Sequence, residues 1–109
     1  MYVKSNGDRL EFEWDEAKRQ KLIAERDADV LVALLIFEHQ VLTVVDNRND
    51  YGEVRWISLG IADGDVWLVV HTERAGVTRI ITVWKGGRRD RKKYEASFAF
   101  RNSSDEKSR

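Results

Sequence analysis

The chain has 109 residues, enough for one domain with a modest core, and its 19 basic side chains equal its 19 acidic ones in number. The absence of cysteine excludes disulfides, thiolate metal sites and cysteine nucleophiles. Residues 30–37 form the longest apolar run, far short of the roughly 20 residues of a membrane-spanning helix, and no signal pattern opens the chain. We therefore expect a cytoplasmic protein without membrane contact, with one domain over residues 1–101 and a disordered polar tail over residues 102–109.

The N-terminal part of the chain predicts one strand followed by two helices. Residues 10–14 alternate apolar and acidic side chains, as a short edge strand does, and Asp15 can then cap a helix that ends near Arg26. Residues 27–29 break this helix, and a second helix is predicted over residues 30–38. The competing interpretation of residues 30–37 is a buried strand, because short apolar runs do not distinguish the two.

The second predicted helix is apolar on more than one face. Its core-facing stripe is predicted to be Val30, Ala33, Leu34 and Phe37, which follow the i, i+3, i+4, i+7 pattern. A large apolar side chain that stays exposed loses about 1.5 to 3 kcal/mol of burial free energy. The apolar side chains outside the core-facing stripe therefore predict a surface that a second copy of the chain or a partner protein covers. These partner-binding candidates are Leu31, Val32, Leu35 and Ile36.

From residue 41 the apolar period becomes that of strands. Strands are predicted over residues 41–45, 54–60, 66–71 and 77–84, and the short, Gly-containing connections between them favour an antiparallel meander. Gly86 and Gly87 end the last strand, and a closing helix is predicted over residues 88–98. The predicted fold class is therefore α+β.

The basic residues are concentrated near the C-terminus. Residues 84–109 contain nine Lys or Arg against four acids, a net charge of +5, so residues 1–83 of this neutral chain carry −5. A basic segment on an acidic body favours a site for phosphates or for an acidic partner. The alternative is a solvated helix face that keeps the protein soluble.

The middle of the chain combines groups that suit RNA cleavage. Strand alternation puts Glu53 and Arg55 on one face. Cleavage of RNA by its own 2′-hydroxyl needs a base for that hydroxyl, cations around the dianionic phosphorane and an acid for the leaving 5′-oxygen. The candidates are Glu53 as base, Arg55 and Arg79 as the phosphate clamp, His71 or Tyr94 as the acid, and Arg74 as a further phosphate ligand.

Each of these candidates has a structural alternative. Glu53 and Arg55 can form a cross-strand ion pair, worth about 0.2 to 1 kcal/mol. His71 can be a strand-end histidine that orders a hairpin. Trp14 and Trp56 can be core or partner-contact aromatics rather than platforms for nucleobases.

Five short segments carry a pattern seen in a known family: Phe-Glu-Trp-Asp at residues 12–15, and residues 50–55, 69–74, 79–81 and 88–94. Together they resemble the BrnT family of bacterial type II toxins, which belong with the RelE-like endoribonucleases. The resemblance spans residues 10–95 and implies a RelE-like fold with two N-terminal helices, an antiparallel meander of about four strands and a C-terminal helix. Two positions depart from the family pattern, because Glu25 and Trp84 stand where a lysine and an arginine are common.

The resemblance also implies an activity and partners. The chain would be a metal-independent endoribonuclease toxin that inhibits translation and needs no cofactor. A BrnA-like antitoxin would neutralise it, and promoter DNA would be bound only through the toxin–antitoxin complex. The RNA-binding residues implied are Trp14, Arg74, Lys85, Arg88, Arg89 and Tyr94.

Two other classes of function stay open. The first is a non-catalytic RelE-like module that binds RNA or protein through the basic closing helix. The second is a purely structural interaction protein that depends on the apolar face of the second helix. A metal-dependent enzyme is the least favoured class, because the histidines and acids show no ligand spacing.

Overall fold

The computed structural model describes the backbone of residues 2–4 and 10–107 and the side chains of residues 10–98. The described part contains six strands and three helices. In chain order they are β1 (Tyr2–Lys4), β2 (Glu11–Trp14), α1 (Glu16–Arg26), α2 (Val32–Ile36), β3 (Leu42–Val45), β4 (Trp56–Ala62), β5 (Asp65–Arg74), β6 (Val77–Lys85) and α3 (Arg88–Lys107). The α+β class predicted from the sequence is confirmed.

One mixed sheet holds all six strands in the order β1-β2-β6-β5-β4-β3. The predicted antiparallel meander is confirmed for β3 to β6. The meander has the four predicted strands, but the whole sheet has six because β1 and β2 join it. The predicted edge position of β2 is wrong, because β2 lies between β1 and β6 and is parallel to β6. Both apolar side chains of β2, Phe12 and Trp14, are buried, and this central position supplies the packing that an edge would not. The strand predicted over residues 10–14 is confirmed as β2, but β1 precedes it, so the two helices are not N-terminal as the resemblance implied.

Helix α1 follows the sequence prediction closely. The Asp15 side chain accepts a hydrogen bond from the backbone N–H of Lys18, which caps the helix, and Asp27 ends it in the left-handed conformation with φ of 52°. The guanidinium of Arg19 then joins α1 to the start of α2, donating from Nε and Nη2 to the two carboxylate oxygens of Asp29 at 2.7 and 3.0 Å. This bidentate contact joins α1 to the segment that leads into α2.

The second helical segment is confirmed as helix, but it is shorter than predicted and its buried face differs. Its first turns are closed by i to i+3 hydrogen bonds, such as Ala33 N to Val30 O, so the local period is close to three residues. A three-residue period aligns Val30, Ala33 and Ile36, and all three are buried. Ile36 is 0% exposed and packs on Gly60 of β4, where an added Cβ would lie 2.7 Å from the Ile36 Cβ.

This packing corrects the predicted partner surface. Ile36 is a core residue and cannot contribute to a surface for another protein. Leu31 and Val32 are partly buried against the core. Leu35 is 46% exposed and is the most accessible of the four partner-binding candidates.

The closing helix α3 begins on the opposite face of the sheet. Since Gly60 faces α2, strand alternation turns Leu59 and its register partner Leu68 to the other side, where both are buried. A Cβ added at Gly86 would lie about 3 Å both from the Leu68 side chain and from the Asp90 Cβ at the start of α3. The start of α3 is therefore on the same side of the sheet as Leu68. Farther along, the Tyr94 hydroxyl donates to the carbonyl of Gln40 at 2.8 Å.

Helix α3 extends past its predicted end near residue 98 and reaches Lys107. The backbone of residues 102–107 belongs to α3, while the domain end at residue 101 and the polar tail after it stay predictions. Residues 108–109 of that predicted tail lie outside the described residues. Across the described ranges, no helix combines the length and apolar character needed to cross a membrane.

Candidate active site

The loop between β3 and β4 is built around one buried carboxylate. The Asp46 side chain is 0% exposed and accepts hydrogen bonds from Arg48 Nε at 2.8 Å, Arg48 Nη2 at 2.9 Å and the Tyr51 hydroxyl at 3.1 Å. Chiefly because of the Arg48 hydrogen bond, the pKa of Asp46 falls to about 2. An ionised Asp46 therefore holds the loop in one conformation at neutral pH.

This loop presents Arg55 with its guanidinium supported on two sides. The Arg55 Cζ lies 4.1 Å from the centre of the Tyr51 ring, and Arg55 Nε lies 3.3 Å from Glu53 Oε2. The Arg55 carbonyl also accepts a hydrogen bond from the backbone N–H of Asp46 at 2.8 Å. The strand predicted over residues 54–60 is confirmed as β4, but β4 begins at Trp56, so Glu53 and Arg55 lie in the loop before it.

Glu53 lies between two arginines. Its Oε1 is 3.2 Å from Arg74 Nη2, and its side chain is 25% exposed. Desolvation alone would raise the pKa of Glu53, but the hydrogen bonds from Arg74 and Arg55 outweigh it and lower the pKa below its usual 4.5. The Thr72 hydroxyl donates to the Val54 carbonyl at 2.6 Å and so attaches this segment to β5.

Arg79 joins the same region through strand pairing. It is opposite Thr72 on β5 and opposite Glu13 on β2, and register partners project from the same face of a sheet. Arg79 Nη1 lies 3.4 Å from Glu13 Oε1, and the Arg79 side chain is 31% exposed. Its guanidinium is therefore accessible to a ligand on the face that carries Thr72.

A fourth cation, Lys18, was not among the sequence candidates. Its pKa is lowered first by desolvation and then by the positive charges of Arg55 and Arg79, against the opposing effect of Asp15. Lys18 is therefore within electrostatic range of both arginines. We call Lys18, Arg55, Arg74 and Arg79, with the acids Glu13 and Glu53, the basic cluster. The position of Lys18 depends on the pairing of β2 with β6, for which the sequence carries no signal.

His71 lies in the interior. Its ring is stacked on Trp56 with centroids 6.1 Å apart and meets the edge of Phe37 at 5.2 Å, while Nε2 lies 2.7 Å from the Ser58 hydroxyl. Burial lowers the pKa of His71, so its ring is neutral at physiological pH. Since Thr72 faces the basic cluster, alternation turns His71 to the other face of the sheet. This placement corrects the prediction of His71 as a proton donor; only its Nδ1 lacks a hydrogen bond among the described buried side-chain atoms.

The RNA-binding candidates are divided between several places. Trp14 is buried and donates from Nε1 to Glu16 Oε1 at 2.9 Å, so it belongs to the core and is not a stacking platform. Arg74 is in the basic cluster. Lys85, Arg88 and Arg89 lie at the far end of β6, about 20 Å along the strand from Arg79. Arg88 and Arg89 are exposed there, while the Tyr94 hydroxyl is hydrogen-bonded to the Gln40 carbonyl.

Within residues 10–98, where side chains are described, no three His, Asp or Glu side chains group closely enough to hold a metal ion.

Comparison with known proteins gives one result. Residues 14–90 of the 109 match the family described as the ribonuclease toxin, BrnT, of type II toxin–antitoxin systems. The matched range includes every member of the basic cluster except Glu13. No curated protein matches the chain.

Proposed function

The chain belongs to the BrnT family of ribonuclease toxins of type II toxin–antitoxin systems, and from this membership we propose that the basic cluster is the catalytic centre of a metal-independent endoribonuclease. The observation that carries the proposal is the position of Glu53, held between Arg55 and Arg74 beside the accessible Arg79. A carboxylate base and several cations are thereby gathered on one face. This is the set of groups that in-line attack by a ribose 2′-hydroxyl requires.

Glu53 acts as the base in this mechanism. Its lowered pKa keeps it ionised at neutral pH, but the same arginines that lower the pKa also weaken it as a base. An RNA phosphate competes for Arg55 and Arg74, and their partial release from Glu53 raises its basicity when substrate is bound. Base strength is thus coupled to substrate binding.

The arginines and Lys18 serve the later parts of the reaction. Arg55, Arg74 and Arg79 neutralise the charge that accumulates on the phosphorane. Lys18 donates the proton to the leaving 5′-oxygen, because its lowered pKa makes its ammonium a better acid than an ordinary lysine. Lys18 takes over the role that the sequence had suggested for His71 or Tyr94.

As a toxin of a type II system, the protein has RNA as its substrate and an antitoxin protein as its partner. We further propose a BrnA-like antitoxin, translation inhibition in the cytoplasm as the outcome, and promoter DNA binding only through the complex. The exposed Leu35 supports a docking surface on α2, since it borders two hollows, one shared with Leu31, Val32 and Trp67 and the other with His39 and Ile61. A homodimer through this surface is the alternative.

The test is cleavage of a defined RNA by the purified full-length protein, with and without EDTA, beside Glu53→Gln and Arg79→Ala. We expect cleavage to persist in EDTA and to fall at least about 100-fold in Glu53→Gln, since a general base contributes about 10² to 10⁴-fold. Products should end in 2′,3′-cyclic phosphates. Cleavage that is unchanged in both variants would refute this site, and RNA binding without cleavage would favour the non-catalytic module.

A further inference from the structure

A groove runs away from the basic cluster between α1 and β6. Strand β2 pairs with β6 only at residues 78–80, so the described sheet places no strand beside residues 81–85 on the side of β6 away from β5. A hollow of about 470 Å³ there is lined by Lys18, Lys21, Arg26 and Thr82 among others. A second hollow of about 260 Å³ follows, lined by Arg26, Trp67, Trp84 and Lys85 among others.

Shared residues make these hollows one path. Lys18 belongs to both the basic cluster and the first hollow, and Arg26 lines both hollows. Lys18 and Arg26 are eight residues apart on α1, a distance of about 12 Å along the helix axis. The groove therefore begins at the proposed catalytic centre and continues to the end of β6.

The charges of the groove favour a polyanion. Its basic members are Lys18, Lys21, Arg26 and Lys85, against the two acids Glu25 and Asp27. The exposed side chains of both signs are screened by water to a similar degree, so the excess of positive charge remains. The positive side chains lie along the path at intervals, as they do in grooves that follow a nucleic acid backbone.

Trp84 supplies an aromatic surface at the far end. It is half-buried and, unlike Trp67, does not pack against the core cluster of the described residues. The Arg48 guanidinium lies 5.5 Å from its ring centre, which is a cation–π contact. An indole in a basic groove is suited to stacking on an unpaired base.

We propose that this groove binds a single strand of RNA as it leaves the basic cluster, with its phosphates along Lys18, Lys21 and Arg26 and one base stacked on Trp84. The inference rests on the proposed ribonuclease function for the direction of the strand. In this arrangement Trp84 supplies a base contact at the end of a path whose other contacts are to phosphates.

The probe is a fluorescein-labelled hexanucleotide of 2′-O-methyl RNA, which has no free 2′-hydroxyl and cannot be cleaved by that route. Its affinity for the full-length protein is measured by fluorescence anisotropy. We expect Trp84→Ala to weaken binding about 10-fold and Trp84→Phe to retain most of it, since loss of one base-stacking contact costs roughly that much. Trp84→Phe also controls for folding.

Charge reversal supplies a matched pair. Lys21→Glu in the groove should weaken binding strongly, whereas Lys92→Glu, the same change at an exposed position on α3, should leave it near the wild-type value. Lys21→Ala and Arg26→Ala should each reduce the slope of log affinity against log salt concentration by about 0.7, as expected for one lost phosphate contact on a single strand.

Three outcomes would overturn the groove proposal. The first is wild-type binding by Trp84→Ala and Lys21→Glu, even if the protein cleaves RNA. The second is equal loss in Lys92→Glu, which would assign the RNA to α3. The third is that the groove variants bind RNA as the wild type does but are no longer inhibited by the antitoxin, which would assign the groove to a protein partner. If the protein binds RNA through the groove but does not cleave it, the ribonuclease function is refuted and the proposal that the groove binds RNA is supported.

Discussion

Asp46→Asn tests whether one buried carboxylate organises the loop that carries the catalytic candidates. The change keeps the shape of the side chain but replaces one acceptor oxygen with an NH₂ group that faces donors from Arg48 or Tyr51. About two hydrogen bonds to a charged acceptor are lost, each worth about 1.5 to 3 kcal/mol. Because Arg48 is half-exposed and regains hydrogen bonds to water, we expect the free energy of unfolding to fall by only about 2 to 3 kcal/mol.

The loss should appear both in thermal unfolding and in its pH dependence. For a domain of this size, it corresponds to a fall in Tm of about 8 to 12 °C. The folded-state pKa of Asp46 is about 2, below its ordinary value of 3.8. Its contribution to stability is therefore complete above pH 3.8 and is lost as the pH falls toward 2. Asp46→Asn lacks this contribution at every pH. The difference in free energy of unfolding between Asp46→Asn and wild type should therefore shrink as the pH falls from 3.8 toward 2.

The assay is urea unfolding followed by circular dichroism between pH 2 and 7, combined with RNA cleavage at 20 °C, where both proteins remain folded. Cleavage should fall as well, because the weakened loop carries Tyr51, whose ring supports Arg55. Asp50→Asn is the control, since the Asp50 side chain is exposed and accepts only from the Gly52 N–H in the described part of the chain. A constant difference between Asp46→Asn and wild type across the pH range would refute the reasoning.

Three further predictions follow from single contacts. Gly60→Ala should cost about 1 to 3 kcal/mol in urea unfolding, because the new Cβ would lie 2.7 Å from the Ile36 Cβ, and an unchanged midpoint would contradict that packing. Leu35→Asp should leave unfolding unchanged within about 0.5 kcal/mol but weaken antitoxin binding in calorimetry; a wild-type affinity would remove α2 from the interface. Lys18→Arg should move the alkaline limb of the pH profile of kcat to higher pH while keeping the charge, and an unmoved limb would exclude Lys18 as the acid.

The sequence by itself determined the elements that depend on local chemistry. The Asp15 cap and the break at Asp27 set the bounds of α1, and strand alternation with short turns identified the meander from β3 to β6. The residues of the candidate centre were also recognisable, because Glu53, Arg55 and Arg79 suit phosphate chemistry by their type alone. Their roles, by contrast, were only partly predictable.

Tertiary structure decided which of these residues meet. The parallel pairing of β2 with β6 joins segments more than 60 residues apart, and only that pairing places Glu13 beside Arg79 and brings Lys18 within electrostatic range of it. A three-residue period in α2 moved Ile36 from the predicted surface into the core, and alternation on β5 turned His71 inward. Local pattern carries no information about long-range pairing or about the phase of a short helix, because both are set by the free energy of packing against the whole sheet.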